Sequence, residues 1–246
     1  MRLLVTRPEP DAGALAEELR ALGHEPVLQP LLEFHVLDFD LAPLKTADAL
    51  IFTSRNGLRA LSEKLDPESV PSCPVFCVGS ETERRLRSAG FQNIEGVADT
   101  AEELAGKIAA AARKDAKLVH VTGEHQAFDL EQALTRGGLS INTLCVYAMK
   151  ERSAFEFPLV EAFVAGVIGG VILMSPRTAE IFVSLCGRHG LLDRASSLDY
   201  YCLAKSVANR LKPLEPIHVH VASRPDRAAL LAILPPPPTT GQDRVK

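Results

Sequence analysis

Short apolar runs alternate with segments of helical periodicity from the first residues of this chain. A short apolar run fits a buried strand, and apolar positions that recur every three or four residues fit a helix. The pattern predicts strands at 3–6, 26–30, 49–53, 75–78, 93–96, 118–122, 141–147, 171–174, 200–203 and 218–222. We expect helices in the intervals. Strands that alternate with helices are typical of an α/β protein with a mainly parallel sheet.

The first predicted helix has the clearest apolar stripe. Ala14, Leu15, Leu19 and Leu22 recur at helical spacing. Gly23 follows them, at the position where glycine commonly ends a helix. We therefore expect a helix that buries this stripe and stops at Gly23.

Two further segments bear on the class of protein. Residues 162–174 are strongly apolar but contain three glycines, and they are shorter than the span of about 20 residues that crosses a membrane. They are predicted to be a helix end that runs into a buried strand. Residues 235–246 begin with four prolines and show no apolar periodicity, which predicts a disordered tail.

An internal repeat links the two halves of the sequence. Residues 49–61 have the layout of 170–182, which pairs Ser54 with Ser175, and residues 77–86 resemble 202–211. A weaker match joins the N-terminal segment to the segment from 118. The repeat alone places a boundary near 113–116. In open parallel sheets, ligands bind at the C-terminal ends of the strands, so we look for the chemistry there.

Composition and charge exclude several classes of function. The chain has 46% apolar and 24% charged residues and a net charge of −4, so no basic field would attract nucleic acid or another polyanion over a distance. We expect neither a nucleic-acid nor a membrane partner. Its five cysteines form no CxxC pair, which favours buried free thiols in a reducing compartment, and we expect a cytoplasmic protein. The first residues do not resemble a signal peptide. The histidines lack ligand spacing, so no metal site is expected.

Small polar residues stand at the predicted junctions between strands and helices. The junctions are Thr6-Arg7-Pro8, Thr53-Ser54-Arg55-Asn56-Gly57, Gly79-Ser80-Glu81-Thr82, Thr122-Gly123-Glu124, Ser175-Pro176-Arg177-Thr178 and Lys205-Ser206. Helix capping accounts for such residues one by one. The same junctions would also present free amides and positive helix ends to a ligand with several carboxylates or phosphates. Both interpretations stay open at this stage, and no nucleotide-binding fingerprint is present.

An ordered set of motifs carries a family resemblance. VTRP at 5–8, PLLEF at 30–34, IFTSRNGL at 51–58, VGSETERRLRSAGF at 78–91, VTGEHQAFDLEQAL at 121–134, VYAMK at 146–150 and MSPRTAEIF at 174–182 all resemble the uroporphyrinogen-III synthase family in order and spacing. Each motif alone is weak, but the ordered set covers residues 1–234.

The resemblance implies an architecture. It is an α/β fold of two parallel-sheet, flavodoxin- or Rossmann-like lobes joined by a two-stranded antiparallel linker. Lobe one comprises residues 1–34 and 152–234 and is discontinuous in sequence, whereas lobe two comprises 41–143. The linker strands are 35–40 and 144–151. This assignment replaces the boundary that the repeat alone places near 113–116.

The resemblance also implies an activity. Members of the family act on hydroxymethylbilane, a linear tetrapyrrole with eight carboxylate side chains. They remove water and close the ring with inversion of ring D, through a spiro intermediate, to give uroporphyrinogen III in haem biosynthesis. No metal or organic cofactor is implied. We expect a monomer, with hydroxymethylbilane as its substrate and a transient hand-over from the upstream hydroxymethylbilane synthase.

Site residues follow from the same resemblance. Tyr147 matches a linker-strand tyrosine that is able to donate a proton to the departing hydroxyl, although an aromatic residue that only packs at this position is an equal alternative. The substrate-binding candidates are Arg7, Thr53, Ser54, Gly79, Ser80, Thr82, Gly123, Ser175, Lys205 and Ser206. Lys205 stands where the family pattern is altered, and an exposed turn lysine is the alternative there.

Two other classes compete with this assignment. A non-catalytic bilobed sensor would clamp an anionic metabolite with the same strand ends, but we expect such a protein to carry an output domain or a signal peptide. A nucleotide-dependent Rossmann enzyme would need a glycine fingerprint that this sequence lacks.

Overall fold

The computed structural model describes residues 1–236. Residues 237–246, which hold most of the predicted disordered tail, lie outside the described residues. The strands are β1 Arg2–Val5, β2 Glu25–Leu28, β3 Leu32–Val36, β4 Ala49–Phe52, β5 Val75–Val78, β6 Ile94–Ala98, β7 Leu118–Gly123, β8 Ile141–Glu151, β9 Gly170–Leu173, β10 Asp199–Cys202 and β11 His218–Val221.

Helices connect these strands. They are α1 Asp11–Ala21, α2 Ala42–Lys45, α3 Arg55–Ser62, α4 Ser80–Ser88, α5 Ala101–Ala111, α6 Leu130–Arg136, α7 Phe157–Val164, α8 Pro176–Arg188, α9 Leu192–Ser196, α10 Lys205–Ala208 and α11 Arg227–Leu231. Short 3₁₀ turns occupy Pro67–Ser69 and Asn209–Leu214. Within residues 1–236, no helix has the length and apolar character needed to span a membrane. The stretch from 162 to 174 is the end of α7 followed by the buried strand β9, as predicted.

The chain divides into two compact units. Unit 1 comprises Met1–Glu33 and the chain from Lys150 onward, and unit 2 comprises Phe34–Met149. The boundary that the repeat alone placed near 113–116 falls inside unit 2. The prediction of an α/β fold with parallel sheets is confirmed.

Unit 1 is built on a five-stranded sheet in the order β11-β10-β9-β1-β2, and every pairing in it is parallel. The central strands β1 and β9 are buried over nearly their whole length, as expected for a parallel sheet covered by helices on both faces. One of its core clusters joins the sheet to α1 and α11 through Leu3, Val5, Leu15, Leu19, Ile172 and Leu230.

Unit 2 contains most of a six-stranded sheet in the order β3-β8-β7-β4-β5-β6. The five strands from β8 to β6 pair in parallel. At the edge, the Leu37 amide donates to the Val146 carbonyl and the Arg152 amide donates to the Leu31 carbonyl, each at 3.0 Å. The partner number falls as the residue number rises, so β3 and β8 run antiparallel.

The internal repeat reappears in the topology. Reading each sheet from the matching edge gives β2-β1-β9-β10-β11 in unit 1 and β8-β7-β4-β5-β6 in unit 2. The repeated segments occupy equivalent places, since β4-α3 matches β9-α8 and β7-α6 matches β1-α1. Each unit therefore contains one half of each sequence copy.

The structure corrects part of the prediction for the first helix. Ala14 and Leu22 are exposed, so both were wrongly assigned to the buried stripe. The buried residues of α1 are Ala12, Leu15, Ala16 and Leu19. Leu22 lies beyond the last helical residue, where helical periodicity no longer applies. Gly23 has a φ of 78°, and the next amide, of His24, donates to the Leu19 carbonyl at 2.9 Å, which closes the helix as predicted.

Helix α3 lies unusually close to strand β7. A Cβ atom built on Gly57 would lie 2.8 Å from the Val121 carbonyl oxygen, which is shorter than real side chains tolerate. Glycine at position 57 therefore allows α3, the helix that follows β4, to approach the backbone of β7 this closely.

We predict that Gly57→Ala lowers the free energy of unfolding by about 1–3 kcal/mol, because the added methyl group must displace backbone rather than a flexible side chain. The matched control is Gly106→Ala in α5, where nothing lies within 4 Å of the added Cβ. That substitution should stabilise the protein by about 0.5–1 kcal/mol, since alanine is the better helix former. Urea unfolding followed by circular dichroism measures both, and equal effects at the two sites would refute the close approach.

Candidate functional site

The predicted site residues gather at the C-terminal ends of neighbouring strands in each unit. In unit 2, Thr53 and Ser54 follow β4, Gly79, Ser80 and Thr82 follow β5, Gly123 is the last residue of β7, and Tyr147 lies within β8. Unit 1 places them after β1, β9 and β10, at Arg7, Ser175, Lys205 and Ser206. Each group lies at the C-terminal edge of the parallel strands in its own unit, and ligands of parallel sheets bind at this edge.

Thr53 and Ser54 follow β4 and have different partners. The Thr53 hydroxyl lies 2.9 Å from Nε2 of His120, a residue of β7. The Ser54 hydroxyl accepts a hydrogen bond from the Asn56 amide at 3.2 Å and so caps α3. Helix capping thus engages Ser54, while Thr53 is held from the neighbouring strand.

The junction after β5 has an open helix end. Gly79 has a φ of 83°, which only glycine adopts readily, and it precedes the first residue of α4. Because Gly79 has no side chain, α4 begins without a side-chain cap among the described residues. Ser80 is exposed in the first turn, and Thr82 is buried. The first-turn amides of α4 are therefore available to a negatively charged group.

Glu81 brings a negative charge into the same turn of α4. Its carboxylate accepts hydrogen bonds from Arg85 at 2.8 Å and from Arg84 at 2.7 Å. These bonds lower the pKa of Glu81 to about 2, so the carboxylate stays ionised. The two guanidinium groups offset that charge, and the start of α4 is not left net negative by its own glutamate.

Gly123 and Tyr147 form one packed element. The two residues are partners in the register of β7 and β8, and a Cβ atom on Gly123 would lie 2.5 Å from the Tyr147 ring. Phe34 stacks on the tyrosine with ring centroids 5.4 Å apart, and the Arg59 guanidinium lies 4.1 Å from the Phe34 centroid. Tyr147 is only 7% exposed. Within residues 1–236, the structure records no hydrogen bond of its hydroxyl group.

The unit 1 residues differ in their surroundings. Arg7 is paired with Asp11 of α1 at 2.5 Å, and it also donates to the Met174 sulfur at 3.3 Å. The Ser175 hydroxyl accepts from the Thr178 amide at 3.1 Å and caps α8. Lys205 and Ser206 are both exposed at the start of α10. Arg7 therefore already has a carboxylate partner within unit 1, and Lys205 is an exposed cation.

Capping explains only some of the junctions. Ser54 and Ser175 cap the helices that follow them, as that interpretation predicts. The residues before α1, α4 and α10 are Pro10, Gly79 and Ala204, which make no side-chain cap. Thr122-Gly123-Glu124 is not a helix start at all, because α6 begins at Leu130 and is capped by Asp129. Expecting a strand-to-helix junction at 122–124 was wrong, since a loop follows β7.

Two residues with clear contacts to the site were missed in the sequence. His120 interrupts an apolar strand without any ligand spacing, so nothing in the pattern marks it as a partner of Thr53. Phe34 is the last residue of the PLLEF motif, and the sequence indicates only that it is hydrophobic. Its contact with Tyr147 depends on the fold.

The cysteines offer no activated thiol. Cys77, Cys186 and Cys202 are buried and free, whereas Cys73 and Cys145, also free, are only half-buried, which corrects the prediction for those two. Burial raises the pKa of Cys77 to about 11 and that of Cys186 and of Cys202 to about 12, so the nucleophilic thiolate is disfavoured. In the part of the chain that the structure describes, no three His, Cys, Asp or Glu residues are grouped to hold a metal ion.

Comparisons with known proteins identify a family. The family model described as uroporphyrinogen-III synthase HemD matches residues 13–232. The porphyrin biosynthesis protein HemD of Ruminiclostridium josui is 30% identical over 105 residues, which cover 37% of this chain. That match spans only 20% of the length of the curated relative.

Solved structures show the same fold. The crystal structure of uroporphyrinogen-III synthetase from Helicobacter pylori has a TM-score of 0.64 at 18% identity, covering 94% of this chain and 97% of that one. A mutant uroporphyrinogen III synthase from Thermus thermophilus has a TM-score of 0.55 at 18% identity and covers 94% and 96% of the two chains. Since the family model extends over most of the described residues, the chain belongs to the uroporphyrinogen-III synthase family.

Proposed function

We propose that this chain converts hydroxymethylbilane into uroporphyrinogen III by loss of water and inversion of ring D. The observation that carries the proposal is the family match over residues 13–232. The strand ends add support. In unit 2 they combine the open start of α4 with hydroxyl groups, and in unit 1 they carry the cations Arg7 and Lys205. Such groups suit a substrate that bears eight carboxylates.

The finer architecture is part of the proposal. We take the lobes to be residues 1–34 with 152–234 and residues 41–143, joined by linker strands at 35–40 and 144–151. Two observations support it. Within residues 1–236, the chain passes between its compact units at 33–34 and at 149–150, and hydrogen bonds join the two segments beside these points, from Leu37 to Val146 and from Arg152 to Leu31. The described strands Leu32–Val36 and Ile141–Glu151 differ from the proposed linker bounds by several residues.

Local groups allow an acidic chain to bind a polyanion. The net charge of −4 opposes long-range attraction, but charges beyond about 8–10 Å are largely screened at physiological ionic strength. The amides at the start of α4 act within hydrogen-bond distance, where screening matters little. In the proposal, the same edge of unit 2 adds the Thr53 hydroxyl, and unit 1 adds Arg7 and Lys205.

Tyr147 is the proposed proton donor. Its phenol gives a proton to the hydroxyl of the ring A hydroxymethyl group, which leaves as water, so that ring A becomes an azafulvenium cation and Tyr147 a phenolate. The substituted α-carbon of ring D then attacks the ring A methylene and forms the spiro intermediate. The bond from this carbon to the methylene on ring C breaks, and that methylene forms a new bond to the free α-carbon of ring D. That carbon loses its proton when the pyrrole is restored, which returns the phenol to its starting form. A ring packed between Gly123 and Phe34 supports this role, because a fixed donor needs no ordering during the reaction.

The product isomer tests the function as a whole. With freshly prepared hydroxymethylbilane and the full chain, we expect uroporphyrinogen III, identified by chromatography after oxidation to the porphyrin. Substrate alone cyclises without inversion to isomer I and provides the control. A product that remains isomer I in the presence of folded protein would overturn the proposed function.

We predict that Tyr147→Phe lowers kcat by about 10²-fold to 10⁴-fold with little change in KM, the range expected for one positioned general acid. The substitution keeps the ring that packs against Gly123 and Phe34. Tyr201→Phe in β10 is the matched control, because among residues 1–236 the structure gives that hydroxyl one long contact, of 4.0 Å to the Met1 sulfur. Steady-state kinetics should separate the two, and an unchanged kcat for Tyr147→Phe would leave the residue with packing alone.

The open start of α4 gives a test in which binding and stability move in opposite directions. Ser80→Asp places a negative charge at the helix start, which should stabilise the fold by about 0.3–1 kcal/mol. The same charge should repel a substrate carboxylate by about 1 kcal/mol at 4 Å in water, which raises KM roughly fivefold. Ser80→Asn is the neutral control. If Ser80→Asp stabilises the protein and leaves KM unchanged, no carboxylate binds at α4.

A further inference from the structure

His120 is a buried histidine that contacts the proposed site from behind. It lies in β7 and is 1% exposed, and its register partner in β4 is Ile51. From this position its Nε2 atom reaches the hydroxyl oxygen of Thr53 at 2.9 Å. All of these residues belong to unit 2.

The other ring nitrogen makes no hydrogen bond. Among the described residues, Nδ1 of His120 is buried without a partner. Burial also lowers the pKa of His120 to about 4, so the ring is neutral near neutral pH. A neutral imidazole carries its single proton on either Nε2 or Nδ1, and the other nitrogen is then an acceptor.

The two tautomers differ in what they leave unsatisfied. A proton on Nδ1 would bury an N–H group with no acceptor, which is rare in folded proteins. With the proton on Nε2, the buried Nδ1 is only an unused acceptor, while the Nε2–H group donates to Thr53. The surroundings of the ring therefore favour the Nε2–H form.

This choice determines what the Thr53 hydroxyl does. If Thr53 accepts from Nε2–H, its own proton is not used by His120, and within residues 1–236 the structure records no other hydrogen bond of this hydroxyl. Thr53 is half-buried at the C-terminal end of β4, directly before the residue that caps α3. Its proton is then free for an acceptor that arrives with the ligand.

We propose that His120 is a positioning residue that holds Thr53 as a hydrogen-bond donor toward a carboxylate of the substrate. The part that concerns the substrate rests on the proposed function, whereas the tautomer of His120 does not. In the opposite tautomer, Thr53 would donate to the ring and could only accept from a ligand, which a carboxylate cannot satisfy.

The tautomer is measured directly. Long-range ¹H–¹⁵N NMR spectra of the full chain labelled with ¹⁵N-histidine distinguish protonated from bare ring nitrogens, and His120→Gln identifies the His120 signals by their loss. We expect a protonated Nε2 and a bare Nδ1 at neutral pH. A protonated Nδ1 overturns the proposal whether or not the chain makes isomer III, so this result is separate from the test of the proposed function.

Kinetics test the consequence. Thr53→Val should raise KM roughly tenfold or more, as for a hydrogen bond to a charged group, with a smaller change in kcat. His120→Leu should have a similar effect, and adding Thr53→Val to it should cost little more. His120→Gln should restore most of the binding, because its amide N–H group can donate to Thr53 in place of Nε2–H.

The pattern of variants separates positioning from packing. Circular dichroism confirms that each variant is folded, and if His120→Leu is not, His120→Gln and the NMR spectrum still decide. A KM for folded His120→Leu that equals that of the parent, while Thr53→Val raises it, overturns the positioning role. If the effects of His120→Leu and Thr53→Val on KM are fully additive, the positioning role is overturned as well.

Discussion

The parallel pairing of β1 with β9 is the constraint on which the rest of unit 1 depends. It joins Leu3 to Gly170 and Val5 to Ile172, and the Thr6 hydroxyl adds a bond of 3.0 Å to the Ile172 carbonyl. The pairing closes a long excursion of the chain, whose entropic cost grows only slowly with length. All of unit 2 lies within that excursion. The same pairing brings the ends of β1 and β9 to one edge, and the pairing of β9 with β10 adds a third end, where Arg7, Ser175 and Lys205 follow the strands.

This pairing also explains how the repeat relates to the fold. In each unit a β-α-β segment from one sequence copy pairs with the longer segment from the other copy, and the strand orders are equivalent. Ser54 and Ser175 therefore cap equivalent helices, α3 and α8, in different units. A linear comparison of sequence halves detects the duplication but assigns the halves to the wrong partners. Pairing between distant strands leaves no local signal, so only the three-dimensional contacts or the family resemblance resolve it.

Much of the fold could be predicted because its central strands are buried on both faces. β5 was predicted at its observed bounds, Val75–Val78, and the other predicted strands overlap observed ones. β3 was missed by the pattern because Leu32–Val36 is half-buried and carries Glu33 and His35. Among the site residues, Ser54 was predictable, since capping is local. The His120 contact was not, because the strand order β7-β4 decides which side chain reaches Thr53.

From the sequence, packing and proton donation are alternative roles for Tyr147. The contacts of its ring are compatible with both. Gly123 leaves room for the ring, and Phe34 covers it with a centroid separation of 5.4 Å. A ring held on two sides has little freedom to move, which also limits the positions open to its hydroxyl. A positioned group is effective in catalysis when the entropy of ordering it is lost during folding rather than during the reaction. Close packing of the Tyr147 ring therefore does not argue against the role proposed for its phenol, since a group that is already ordered loses little further freedom when a ligand binds.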